Sequence, residues 1–150
     1  MRTPIRIAIA LLAASGAAQA TDCKPVHASL VEVASTTGCN PGLASCFLGE
    51  VAGNHGLVGV THFRADSVGT AASGSPGSVP YSGPFEYRTD RGNLLMRETG
   101  VTVPGAVTAH QRVVEGSGEF AGVSGHLFVT GTRASGVITT RVDGEFCYPD

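Results

Sequence analysis

Residues 114–125, VEGSGEFAGVSG, contain four glycines and one aromatic side chain, Phe120. So much glycine in one place is typical of a loop that cradles a phosphate or of a sharply bent corner in a barrel. A phosphate-binding loop needs a lysine beside its last glycine and a helix after it, and this stretch has neither. We therefore interpret it as a corner between two strands. Phe120 enters the core there, and the glycines let the backbone fold over it.

Short strand patterns dominate the sequence on both sides of this corner. Val, Thr, Phe and Tyr occur in short runs that Gly, Pro, Asn and Asp separate. No window after residue 20 has a helical period, which excludes the βαβ units of a dinucleotide-binding fold. Residues 68–80, VGTAASGSPGSVP, predict an exposed, mobile loop. The predicted strands are 27–35, 46–53, 56–67, 81–89, 93–99, 106–114, 126–133 and 136–147.

The last of these strands alternates between an apolar face and a charged face, the period of two that a half-buried strand shows. Eight such strands without helices predict a closed barrel or a sandwich, since closure removes exposed sheet edges. The predicted inner face carries Ile138, Thr140, Val142, Gly144 and Phe146, and the predicted outer face carries Arg141, Asp143 and Glu145.

Residues 1–20 have the features of a secretory signal peptide. Arg2 and Arg6 form a positive start, residues 5–14 are an apolar run too short to span a membrane, and Ala-Gln-Ala at residues 18–20 is a small-residue cleavage site. A buried N-terminal helix is the alternative interpretation. We expect residues 21–150 to form one exported domain, secreted or periplasmic, with no membrane association after cleavage.

The charge of this domain argues against binding to nucleic acid or anionic lipid. Removal of the two leader arginines leaves eight basic residues against 12 acidic ones, a net charge of −4 with histidine neutral. No cluster of basic residues occurs that could contact a polyanion. We therefore expect no nucleic-acid partner.

Export makes disulfide formation the favoured state of the four cysteines. Their spacing includes no Cys-x-x-Cys and the histidines are scattered, so we expect no metal site. In a closed antiparallel barrel the last strand lies beside the first, which favours Cys23–Cys147 together with a local Cys39–Cys46 bridge across a Pro-Gly loop. The competing pairing joins Cys23 to Cys39 and Cys46 to Cys147.

Three glycine-containing segments resemble the allene oxide cyclase and dirigent family. VVEGSGEFAGVSGHL, residues 113–127, is similar to that family's Gly-x-Gly-x-Phe-x-Gly-x-x-Gly signature. FLGEVAGNHGLVGVTHF, residues 47–63, resembles a Leu-Gly-Asp strand that leads to Val-Gly-Val-Thr. DRGNLLM, residues 90–96, is similar to the Asp-x-Gly-x-Leu turn. The three segments occur in family order.

The resemblance implies a single eight-stranded antiparallel β-barrel of the calycin type, all-β, with the two disulfides added. Members of the family are often trimeric, so the chain could form a homo-oligomer, a trimer or a dimer. They close rings on lipid-like or polyketide-like substrates or steer the coupling of phenolic radicals. Both activities use a mainly apolar cavity with a few fixed polar groups, and the resemblance implies no cofactor.

The resemblance also assigns candidate catalytic residues. Glu32 matches a glutamate on an early strand of the allene oxide cyclases, and Tyr87 matches a tyrosine before the Asp-x-Gly turn. Ala34 stands where the family has an asparagine, and Ala65 where it has a cavity cysteine. If Glu32 points inward, burial should raise its pKa and suit it to act as a general acid. If it points outward, it only solvates the barrel.

Strand alternation adds candidate ligand-binding residues. The resemblance to the family cavity implies that Thr61 and Phe63 face inward, and Phe85 shares a core-facing side of its strand with Tyr87. Glu50 alternates with Leu48 and Ala52 and is either a cavity acid or a charge at the rim. On the third predicted strand the opposite face carries His62 and Arg64, which we expect to be solvent groups.

Two classes of function remain open from the sequence. The first is a barrel that binds a small hydrophobic molecule in its cavity without chemistry. The alternative is a cyclase or isomerase of a lipid-like or polyketide-like substrate, with Glu32 and Tyr87 as polar site groups. An interaction role at the cell surface ranks third.

Overall fold

The structure is a computed structural model that describes residues 22–43 and 45–149. The predicted signal peptide, residues 1–20, lies outside the described residues. Within them, no helix is long and apolar enough to cross a membrane. In this part of the chain the regular elements are strands and one single-turn 3-10 helix, Gly118–Phe120. The strands are β1 (Asp22–Ala34), β2 (Cys46–Gly53), β3 (Val58–Arg64), β4 (Ser67–Val68), β5 (Val79–Thr89), β6 (Gly92–Val103), β7 (Ala106–Gly116), β8 (Ser124–Ala134) and β9 (Val137–Tyr148).

Eight of these strands form one closed antiparallel barrel. Their order is β3-β2-β1-β9-β8-β7-β6-β5, and pairing between β3 and β5 closes the ring. The two-residue β4 pairs with β5 outside the ring. The predicted eight-stranded barrel with two disulfides is thereby confirmed, although several strands are longer than the sequence pattern indicated. β6 has 12 residues where 93–99 were predicted, and β1 begins at Asp22, five residues before its predicted start, and pairs with β9 from there.

Strand alternation sets what fills the barrel. Along β9, the side chains of Ile138, Val142 and Phe146 are buried while Arg141 and Glu145 are exposed, as the sequence pattern predicts. The same alternation on the other strands directs one face of each into a common core. Residues 69–77 of the predicted loop are exposed.

The glycine-rich corner closes one end of the barrel. Phe120 lies in the 3-10 turn between β7 and β8, is 1% exposed, and packs edge to face on Phe146 with ring centroids 6.2 Å apart. A Cβ atom on Gly116 would lie 2.0 Å from the carbonyl oxygen of Phe120, so no larger residue fits. Gly118 has a φ of 62°, a conformation that favours glycine. The predicted role of this stretch as a core-plugging corner is confirmed.

Both predicted disulfides are present. Cys23 and Cys147 are direct cross-strand partners on β1 and β9, the first and last strands of the barrel. Cys39 and Cys46 bridge the connection between β1 and β2. Two disulfides fit an oxidising extracellular or periplasmic environment.

The two bridges should contribute unequally to stability. Cys23–Cys147 spans 124 residues and Cys39–Cys46 spans seven. The chain-entropy model assigns roughly 4–5 kcal/mol to the long loop and about 2.5 kcal/mol to the short one. We therefore compare two double variants by urea unfolding, one with both Cys23 and Cys147 changed to alanine and one with both Cys39 and Cys46 changed to alanine. The first should lose more stability than the second. A larger loss without the short bridge would contradict this.

Candidate functional site

The end of the barrel opposite Phe120 holds a small interior space, which we call the mouth cavity. Its volume is about 20 Å³, enough for roughly one water molecule. The wall reaches the β1–β2 connection through Ser45 and the start of β7 through Val107. Three aromatic rings line it, those of Phe47, Phe63 and Tyr81, and its polar side chains include Glu32, Glu98 and Thr140.

Glu32 enters the barrel because it continues the inward face of β1 after Val26 and Leu30, and it is 6% exposed. Its cross-strand neighbour on β2 is Gly49, which in turn pairs with Thr61 on β3. A Cβ atom on Gly49 would lie 2.6 Å from Cγ of Glu32 and 2.7 Å from Oγ1 of Thr61. The glycine therefore leaves the room that both polar side chains occupy.

The Glu32 carboxyl is held in its neutral form at neutral pH. Burial raises its pKa to about 8, and repulsion by the nearby Glu98 carboxylate adds to the shift. Oε1 of Glu32 has no hydrogen-bond partner among the described residues, nor does the Thr140 hydroxyl on the same wall. The mouth cavity thus contains a protonated acid with an oxygen free to meet a ligand.

Glu98 belongs to a hydrogen-bonded chain across the interior. The Tyr87 hydroxyl donates to Oε1 of Gln111 at 2.6 Å, and Nε2 of Gln111 donates to Oε2 of Glu98 at 2.6 Å. The Tyr81 hydroxyl also hydrogen-bonds to Glu98. Burial raises the pKa of Glu98 to about 7, against the opposing effect of the Gln111 and Tyr81 hydrogen bonds.

This pair of carboxyls can serve acid–base chemistry near pH 7. Glu98 ionises first, because Gln111 and Tyr81 donate to its charged form. Glu32 then keeps its proton, because two negative charges in one buried site repel. An acid and a base of similar pKa that line the same cavity are what proton transfer at neutral pH requires.

The inward orientation predicted for Thr61, Phe63 and Phe85 is confirmed, since all three are at most 2% exposed. Phe63 lines the mouth cavity, whereas Phe85 lies deeper and packs on Tyr87 with ring centroids 4.8 Å apart. Tyr87 is fully buried, and Gln111 satisfies its hydroxyl. Tyr81, not Tyr87, is the tyrosine of the cavity wall.

The structure excludes one of the two alternatives for Glu50, the cavity acid, and corrects the expectation for His62. Glu50 does share a face with Leu48 and Ala52, but this face is the outer wall, where Glu50 is exposed and not part of the cavity. His62 is 8% exposed and is not a solvent group. The β1–β2 connection covers it, with Sγ of Cys46 3.8 Å from its Nε2. Burial and the neighbouring Arg64 lower the pKa of His62.

Sequence reasoning missed half of the polar cluster. Glu98 follows Leu94 and Met96 at intervals of two on β6, and Gln111 follows Val107 and Ala109 in the same way on β7. The alternation was therefore visible in the sequence. A polar residue at the end of an apolar series is normally taken to mark the point where a strand leaves the core, so the signal was passed over.

One group of candidate metal ligands converges within residues 22–43 and 45–149. It consists of Cys23, Cys147 and Glu145. Both sulfur atoms are joined in the disulfide, so this group does not form a metal site.

No protein-family model matches this sequence, and no curated protein matches it. The candidate site therefore rests on its own geometry.

Glu32 should make stability fall as pH rises. Its pKa is raised from 4.5 to about 8 by folding, so its contribution is fully present below pH 4.5 and is lost as pH rises toward 8. At about 1.4 kcal/mol per pH unit, Glu32 should lower the free energy of unfolding of the wild type by roughly 2–3 kcal/mol between pH 5 and pH 7. The Glu32→Gln variant should not show this loss. Urea unfolding at both pH values measures this, with exposed Glu115→Gln as control. Equal pH dependence in Glu32→Gln and wild type would contradict it.

Proposed function

We propose that the protein is an exported barrel of the allene oxide cyclase and dirigent type that binds a small hydrophobic molecule at the mouth cavity. The observation that carries the proposal is the unpartnered, buried oxygen of Glu32 in a mainly apolar wall. A buried polar atom without a hydrogen bond costs free energy, which a ligand or a water can recover. Ligand pockets are mostly apolar, with a few polar groups that fix orientation.

A ligand larger than water needs room that the aromatic side chains now occupy. Tyr81 lies across Gly100, where a Cβ atom would be 2.6 Å from the tyrosine hydroxyl. Its ring packs on Phe63 with centroids 5.3 Å apart, and Tyr81 is the cross-strand partner of Val68, the residue before the exposed loop of residues 69–77. Rotation of Tyr81 toward this loop would open the mouth cavity and expose Glu32 and Glu98 to the entering molecule.

The chemistry of the site suggests what this molecule is. Glu32 is neutral at pH 7 and donates a hydrogen bond, so the ligand should carry an acceptor such as a carbonyl, ether or hydroxyl oxygen. Its remainder should be apolar, to match Phe47, Phe63 and Val129. An anionic head placed at this depth would meet Glu98 and be repelled.

Binding is tested with the neutral fluorophore N-phenyl-1-naphthylamine. Tyr81→Ala should tighten binding by about tenfold, because it opens roughly 50 Å² of additional apolar surface at about 25 cal/mol per Å². Val60→Lys, on the outer wall, is the matched control and should leave the affinity unchanged. The reverse result, with Val60→Lys abolishing binding and Tyr81→Ala having no effect, would place the site on the outside and refute the proposal.

A cyclase or isomerase is the second candidate, and the paired carboxyls favour it. Glu32 would protonate an oxygen of a lipid-like or polyketide-like substrate, and ionised Glu98 would accept a proton. Tyr87 would act through Gln111 by holding Glu98 in place.

This activity has its own test. A panel of such compounds is incubated with the protein, and isomers of unchanged mass are resolved by chromatography. Turnover should fall as pH rises through about 8, where Glu32 loses its proton. Glu32→Gln should keep ligand affinity and lose turnover by about 100-fold or more. Binding without formation of any isomer would refute the isomerase and support only the binding of a small hydrophobic molecule.

A further inference from the structure

The outer surface of β1, β2 and β3 is unusually apolar for the outside of a barrel. Five large aliphatic side chains are exposed there, and we call this surface the valine wall. It comprises Val31 (45% exposed), Val33 (49%), Leu48 (38%), Val58 (57%) and Val60 (52%). Together they present on the order of 400 Å², the size of the largest apolar patches on monomeric proteins, which are often functional.

The valine wall is continuous because its residues are cross-strand neighbours. Val33 pairs with Leu48 between β1 and β2, and Val58 pairs with Ala52 between β3 and β2. The central row runs from Val31 through Glu50 to Val60. Two shallow grooves of about 390 and 500 Å³ lie on this surface and share that central row.

Two charged groups mark the valine wall. Glu50 is exposed at its centre, and no described residue forms an ion pair with it. Arg88 stands at its edge, because it is the cross-strand partner of Val60 on β5. The Arg88 guanidinium is bound to Glu86, which also pairs with Arg64 and so would stay neutralised if Arg88 turned away.

We propose that two copies of this chain pack through the valine wall across a twofold axis, with Glu50 of each copy facing Arg88 of the other. A twofold interface uses the same patch on both copies, and this surface is one patch that holds both charges. Its apolar area is about half of the roughly 800 Å² that each partner buries in a standard interface, and such interfaces are about 56–58% non-polar. The inference does not rest on the mouth cavity.

The alternatives for this surface are less well matched. A trimer would need a second, different patch on each copy, because its contacts are head to tail. Five other large hydrophobic side chains are exposed in the described part of the chain, and they are spread over β4, β6, β7, β8 and β9. An apolar small molecule would not use the charges of Glu50 and Arg88.

Sedimentation velocity from about 1 to 100 µM, with the mass of one copy from mass spectrometry, tests the assembly. We expect a reversible dimer in wild type and a monomer in Val60→Lys. Val114→Lys is the matched control, because Val114 is 57% exposed on β7, four strands away from β2 in either direction around the ring. It should remain dimeric. A wild-type monomer at every concentration, a trimer, or a dimer that Val60→Lys leaves intact would each overturn the proposal.

A charge exchange tests the contact itself and does not depend on how the lysine variant folds. Glu50→Arg and Arg88→Glu should each raise the dimer dissociation constant about tenfold or more, because like charges then meet in the interface. The double variant should return most of the affinity. If the double variant is as weak as the product of the two single effects, the two residues do not meet and the proposed packing is wrong.

Discussion

Closure of the sheet between β3 and β5 is the constraint on which the rest of the structure depends. A ring of eight strands has no free edge, so every strand has an inside and an outside for its whole length. The alternation of each strand then decides, residue by residue, what is desolvated. The same rule that buries Leu30 also buries Glu32 two residues later, although the two side chains have opposite preferences for water.

The free-energy cost of this burial falls on a few polar groups. Hydrogen bonds from Gln111 and Tyr81 offset part of the cost of burying Glu98. Glu32, in contrast, has a neighbouring negative charge and one oxygen without a hydrogen-bond partner. A fold selected for stability alone would be expected to place an apolar residue at position 32. A destabilising acid with a raised pKa beside a cavity is typical of a binding or catalytic site, which is the physical basis of the function proposed for this barrel.

The two faces of β1, β2 and β3 belong to two different candidate sites. Their inner faces supply Glu32, Gly49, Thr61 and Phe63 to the interior, and their outer faces form the valine wall. Hydrophobic residues on both sides of a strand are expected when both sides are covered. The inside is covered by the core, and an assembly of two copies would cover the outside.

The sequence by itself determined the architecture. The glycine corner around Phe120 and the two-residue period of β9 depend on local geometry, which neighbouring residues determine. For the same reason the sequence showed that Thr61 shares a face with Phe63 and that Phe85 shares a face with Tyr87, whereas the orientation of Glu32 stayed open. These features need knowledge of only one strand or one turn at a time.

Only the tertiary structure decided which polar residues meet. Glu98 reaches Gln111 across β6 and β7, and its charge acts on Glu32 from the other side of the barrel, relations that depend on register and curvature. The burial of His62 depends on a loop that folds back over the outer wall, which alternation along β3 cannot reveal. For Glu50 the sequence left a cavity acid and a rim charge open, because a period of two defines two faces without stating which one is inside. Closure of the ring makes that choice.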